Sequence, residues 1–431
     1  MKEKFIYSTI ILIIGGFITK ALGMIIKIVM TRLIGTEGIG LYMLILPTFS
    51  LFISLASFGF PVAVSKLVAE DTKNNKKIIS SVIPASLIIN IILMIVILLF
   101  GKVLSYNLLH DKRCYFAIVA MALVIPFTSI SAILRSYFFG KEKMVPHVVS
   151  NILEDVTRLF LLIIGVRHFL KMGIEYALCY VILINILSEL TSILVLFFFL
   201  PKNFKLKRSD IKPSKVYLKD SLSISIPSTI ARLVASIGYF LEPIILTFTL
   251  HKVGYSNSFI VNEYGVLSGY VIPLLLLPSF FTMAISQALL PIISKSTSKR
   301  KNEYAYRKIK QSIAISLVIG LPVTIMFLIA PAFFLKIIYN TTEGVSYMMV
   351  LAPVCLLQYI QAPLSSSLDA MGKSSENLKT TLIGTLIRTS SLFLFSLLKI
   401  GIWGLIISTS INIIFTTVYN FFQVRRAIYN N

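Results

Sequence analysis

The sequence predicts an all-α integral membrane protein of about twelve spanning helices, and three observations carry that prediction. Apolar residues make up 56% of the 431 positions and charged residues 14%, with a mean hydropathy of +0.87. A soluble domain of this length has a far more polar composition. The apolar residues also fall into windows of about 20 or more, the length that crosses a hydrocarbon core of about 30 Å. Finally, the basic residues alternate from loop to loop between those windows, as the positive-inside rule requires.

Taken in order, the windows cover about 5–33, 41–67, 78–104, 115–139, 148–166 and 177–200. The second half continues with 221–250, 264–293, 309–338, 346–368, 378–398 and 402–424. The first run follows Met1-Lys2-Glu3-Lys4 and resembles a signal peptide, but it extends to Leu33 without a small-residue cleavage motif. A retained first helix is therefore expected. The two termini and every second loop hold 27 of the 41 Lys and Arg, the intervening loops 9, and the helices 5. This asymmetry places both termini in the cytoplasm, and the plasma membrane is the expected location. Loops 202–219 and 295–310 carry seven basic residues each. A net charge of +23 that is concentrated in alternate loops argues against a nucleic acid partner and for anionic membrane lipids.

The longest polar stretch, 201–219, separates six windows from six. It divides the chain into an N-terminal lobe 1–200, a basic cytoplasmic linker 201–219 and a C-terminal lobe 220–431. With an even number of crossings in each, both lobes enter the membrane in the same direction, as in transporters built from parallel repeats. Local echoes agree: Pro61 and Lys66 close the second window as Pro291 and Lys295 close the eighth, and Gly140-Lys141 is matched by Gly372-Lys373.

Material for catalysis is sparse. His110, His147, His168 and His251 sit at different helix ends, and Cys114, Cys179 and Cys355 are scattered singly, so neither a metal set nor a disulfide framework is expected. Gly372-Lys373-Ser374 resembles part of a phosphate-binding loop, but Ser367 stands where that pattern requires glycine and no strand precedes it. No enzyme activity, metal or cofactor is expected.

Charges at membrane depth say more, because each Lys or Arg near a helix centre costs about 2.5–3.5 kcal/mol on insertion scales. Gly16, Lys20, Gly23 and Lys27 follow one another by four, three and four residues and share one face of the first helix. Ser225, Ser228, Arg232, Ser236 and Tyr239 do the same on the seventh, and Arg388 follows Thr381 and Thr385 on the eleventh. Lys20, Lys27, Arg232 and Arg388 are therefore candidates to line a water-filled cavity between the lobes and bind an anionic substrate such as a phosphate. The alternative is that each pairs with an acid on a neighbouring helix, Glu189 and Glu242 being available. Glu154, Asp155 and Arg158 form a further group. Glu154 and Arg158 are four apart and can pair within one helix. Together with Glu189 and Glu242, these residues are candidates for gating or for coupling to a proton or sodium ion.

Particular segments resemble a known family. They are Gly40-Leu41-Tyr42 with Pro47-Thr48-Phe49, the run from Pro61 to Glu70, Leu134 to Gly140, Glu242-Pro243-Ile244, Tyr264-Gly265, Leu277-Pro278-Ser279-Phe280 and Gln361-Ala362-Pro363-Leu364. On these residues the chain is similar to the stage V sporulation protein B family, within the multidrug, oligosaccharidyl-lipid and polysaccharide exporter superfamily. The resemblance implies two six-helix bundles around a central cavity. It also implies a flippase that moves an undecaprenyl-pyrophosphate-linked glycan such as lipid II outward by alternating access, in service of spore cortex assembly. A lipid-linked anionic glycan precursor would be the substrate, and peptidoglycan synthases are candidate partners. Longer lipid II flippases carry about two further helices after the twelfth, so here the lipid tail is expected to ride between the lobes or to be handled differently.

Two other functions compete. A cation-coupled multidrug antiporter would call for cavity carboxylates, whereas the first helix offers lysines. A non-transporting scaffold would recruit cortex-synthesising enzymes through the basic loops.

Overall fold

The computed structural model describes residues 2–70, 74–200, 214–299 and 301–429. Each of the twelve apolar windows falls on helical structure, and the described residues contain no strand. Among them, nine helices are long and apolar enough to cross a membrane on length and composition alone. The chain divides into two compact units, 1–240 and 241–431.

In the first unit, α1 (Lys2–Ser57) carries the first window and most of the second, with one non-helical residue between them, Gly35 at φ 70° and ψ −175°. That conformation is open to glycine and costly for other residues. The second window breaks again before α2 (Phe60–Ala69), where Phe58 and Gly59 both have positive φ and Pro61 opens the new helix. Next come α3 (Asn75–Lys102), α4 (Tyr115–Gly140), α5 (Met144–Leu170) and α6 (Ile174–Phe198). Asn74 caps α3 by accepting from the backbone N–H of Lys76 and Lys77.

The next helix, α7 (Lys215–Val253), crosses from one unit to the other. Its first part belongs to unit 1 because Tyr217, Leu222 and Ile224 pack on a cluster built from α2, α3, α4 and α6. Phe60, Val64, Leu67 and Val68 form the α2 contribution, with the spacing that keeps them on one face. The basic stretch expected as a linker at 201–219 lies outside the described residues as far as 213.

The second unit contains α8 (Asn257–Gly265), α9 (Ser279–Ser298), α10 (Asn302–Ile329) and α11 (Pro331–Tyr339), followed by α12 (Val345–Ala370), α13 (Ser374–Ser396) and α14 (Trp403–Tyr429). The eighth window is thus not one straight helix: α8 ends in a π-helical turn over Val266–Val271, a single helical turn follows, and α9 starts afresh. The α10–α12 contact is close because Ser312, Ser316, Gly320 and Thr324 repeat every four residues and are buried. A side chain at Gly320 would place its Cβ 2.3 Å from Tyr359 Cδ2.

The tightest backbone approach in unit 1 lies at the break between α1 and α2. A Cβ at Gly59 would stand 2.3 Å from the carbonyl oxygen of Ser225 on α7, and Gly59 has φ 61°. We predict that Gly59→Ala destabilises the protein by at least the 1–3 kcal/mol typical of a left-handed non-glycine residue, or about that much plus the clash. Thermal unfolding in detergent checks this, and an unchanged midpoint would mean that the break relaxes at little cost.

Candidate transport site and ion-pair network

Construction of the site starts from α1. Its face with Gly16 and Gly23 is uncovered, since a Cβ at either would meet nothing within 4 Å. Lys20 lies exposed between them and makes no ion pair or hydrogen bond among the described residues. The opposite face is packed, with Gly15 closely abutting Val148 on α5. Lys27, two turns beyond Lys20, is half-buried and its Nζ approaches the Met43 sulfur at 4.0 Å. It lines a cavity of about 220 Å³ that also contains Tyr42, Arg158 and Asn185.

On α7 the expected polar face has two uses. Ser225 is buried against Gly59, and Ser236 shares a 3.0 Å hydrogen bond with Ser54 of α1, so parts of the face are glue between helices. Arg232 differs from its neighbours. Its Nε and Nη2 are buried, and neither finds an acceptor among the described residues. A guanidinium in that state carries an uncompensated desolvation cost. Arg388, in the second unit, has a partner: it forms an ion pair with Glu242 of α7, whose other oxygen accepts from Tyr264 Oη at 3.1 Å. Of the four expected cations, the structure therefore leaves Lys20 and Arg232 without a counter-ion among the described residues and neutralises Arg388.

The expected gating residues come together in unit 1 around a residue that sequence reasoning missed. Arg135, on α4, reaches Glu154 of α5 at 3.0 Å and Glu189 of α6 at 2.8 Å. Its guanidinium also donates to Ser131 and to Asn151, and Ser131 donates to Glu189. Glu154 is shared: its second oxygen meets Arg158 at 2.5 Å, and Arg158 also holds Asp155 at 3.0 Å. Glu154 and Glu189 are 6% and 4% exposed, so the network is tied across three helices away from solvent. Arg135 was part of the quoted Leu134 to Gly140 motif. The available signal was Glu189, an intramembrane acid with no cation on its own helix within reach.

Glu154 stands between two cavities. Arg158 lines the 220 Å³ one, while Arg135, Glu154 and Glu189 line a larger one of about 800 Å³ with Pro61, Val62, Ser65, Lys66, Phe139 and His147 among its walls. Among the described residues, no three His, Cys, Asp or Glu side chains gather as a metal site.

Comparison with known proteins follows the same lines. A family model described as polysaccharide biosynthesis protein matches residues 5–297, and a second, described as MatE, matches 267–394. The chain is 33% identical over 439 residues to stage V sporulation protein B of Bacillus subtilis, covering 99% of this chain and 85% of that protein. It belongs to the stage V sporulation protein B family. The chain is also similar to the lipid II flippase MurJ of Bacillus subtilis, at 21% identity, with 99% of this chain and 83% of that protein covered. An inward-facing multidrug resistance MATE transporter of the MOP superfamily superposes with a TM-score of 0.74 at 17% identity, covering 96% and 95% of the two chains. This member of the stage V sporulation protein B family therefore has the all-α multi-pass transporter fold.

Proposed function

We propose that this protein is a plasma-membrane flippase that moves an anionic lipid-linked glycan precursor, of the lipid II type, outward by alternating access in service of spore cortex assembly. The observation that carries this reading is the pair of intramembrane cations without counter-ions among the described residues, Lys20 and Arg232. A cation at membrane depth needs an anion, and a diphosphate offers several acceptor oxygens to both. Lys27 stands one face-repeat beyond Lys20 and would join them. Arg388, the fourth expected cation, is held by Glu242 within the second unit. The names of the relatives supply the substrate class. The positive-inside distribution supplies the orientation, with both termini cytoplasmic.

An inside-negative potential favours outward movement of an anionic headgroup by about 2.3 kcal/mol per charge per 100 mV. It is the driving force we propose. The Arg135–Glu154–Arg158 network, with Asp155 and Glu189, would act as the lock that holds α4, α5 and α6 as one body during the transition. Peptidoglycan synthases would receive the exported precursor.

The test is translocation of a polyprenyl-diphosphate-linked sugar in proteoliposomes. Lys20→Ala is expected to reduce the rate at least about tenfold, the order of one lost charge-assisted contact, while Lys20→Arg keeps most of it. Normal rates in both Lys20→Ala and Arg232→Ala would overturn the assignment.

A further inference from the structure

The larger cavity of unit 1 exists because of the break at Gly59. Before the break, α1 packs on α5; after it, α2 turns onto α4 and α3. The space so opened is bounded by α2, α4, α5 and one residue of α6. Its volume of about 800 Å³ lies in the range of pockets that enclose a drug-sized ligand.

What such a ligand must look like follows from which groups in the wall are already satisfied. Arg135, Glu154 and Glu189 are bound to one another and Asn151 is taken by Arg135, so these groups call for no ligand charge, while His147 Nδ1 is buried without a partner among the described residues. The remaining wall is largely apolar. Val62 and Phe139, both in this wall, are 47% and 45% exposed, large apolar groups left uncovered beside the cavity. Lys66 follows Val62 by one helical turn on the same face of α2. It is exposed and has no ion pair or hydrogen bond among the described residues. At the same end, the connection from α4 to α5 adds Lys141 and Lys143, with Glu142 between them. The fitting ligand has a hydrocarbon body and one anionic end.

We infer that this cavity binds a polyprenyl phosphate, its hydrocarbon chain lying against Pro61, Val62, Ala132 and Phe139 and its phosphate on Lys66. A volume suited to one drug-sized body takes part of a single chain more readily than the two acyl chains of a bulk phospholipid. The inference rests on the flippase reading and deepens it: the cavity is where the lipid-linked substrate is held by its tail in the leaflet from which it starts. Lys20 and Arg232 act later, on the diphosphate.

The experiment uses the full chain in lipid nanodiscs and three photoreactive probes, a diazirine-bearing polyprenyl phosphate, the uncharged polyprenol of the same length and a diazirine-bearing phosphatidylglycerol. Cross-linked peptides are mapped and the yields compared. The polyprenyl phosphate is expected to label α2 and α4 around Val62 and Phe139. Val62→Trp, which fills the groove from an exposed position, and Ala132→Phe, which fills it from within, should each reduce labelling at least about fivefold. Lys66→Gln should erase the preference for the polyprenyl phosphate over the uncharged polyprenol of the same length. Labelling unchanged by these substitutions, or located elsewhere, would overturn the inference, and so would equal labelling by phosphatidylglycerol. The two readings fail separately: translocation without cavity labelling removes this site alone, whereas labelling without translocation in the wild type removes the flippase reading. Lys20→Ala should keep the label while losing transport.

Discussion

Arg135→Ala is expected to destabilise the protein by about 3–5 kcal/mol, the usual result of removing one member of a buried ion pair and leaving its partners charged. Two carboxylates depend on this guanidinium, and their situations differ. Glu154 retains Arg158 at 2.5 Å, whereas Glu189 keeps only the Ser131 hydroxyl among the described partners. Most of the loss should therefore reside in the Arg135–Glu189 pair. A double-mutant cycle with Glu189→Gln measures it, since the neutral amide no longer needs a cation, and the double variant should be markedly more stable than the two single losses added together. Thermal unfolding in detergent is the readout. Strict additivity would show that the two residues do not hold each other up.

A contrasting outcome is expected at Arg232, where transport and stability should move in opposite directions. Two guanidinium nitrogens are buried without acceptors among the described residues, each worth about 1–3 kcal/mol of unmet hydrogen bonding. Arg232→Met keeps the apolar stem and deletes the charge. It should leave stability unchanged or raise it, while translocation of the lipid-linked probe falls at least about tenfold. Such a trade-off is characteristic of a functional group kept at a cost to the fold. Arg232→Lys should recover part of the rate, because a point charge still attracts phosphate but cannot present the fork of donors. If Arg232→Met lowered stability and transport together, Arg232 would be a structural residue.

Much of the architecture was legible because membrane insertion reads composition directly. Spanning windows, loop charge and the expensive intramembrane residues are properties of short segments, and lipid forces each segment to satisfy its own backbone. The stripe of Gly16, Lys20 and Gly23 is a case in point: its spacing alone puts it on one face, and in the structure that face is open. Periodicity could not give partners. Nothing local to α13 tells whether Arg388 faces water or Glu242, and nothing local to α4 tells that Arg135 gathers acids from two other helices. These contacts bring together residues 54 and 146 positions apart in the chain, as 135 with 189 and 242 with 388.

The breaks were only half legible. Proline at 61 fits an interruption in the second window, but proline also occurs in ordinary membrane helices, and the positive φ of Gly59 is visible only in the structure. That α2 beyond the break lines a cavity with α4 and α5 is visible only in the packing of the three helices.

By itself, then, the sequence determined the fold class, the approximate helices, the charge asymmetry and the family, because each is written in short-range composition and spacing. Tertiary structure alone decided which charges are neutralised and which have no counter-ion among the described residues. It decided too that Glu154 stands between two cavities of unit 1. The physical reason is the same in both cases: the energy of a buried charge depends on what lies within a few ångströms of it, and in this chain those neighbours come from helices far apart in sequence.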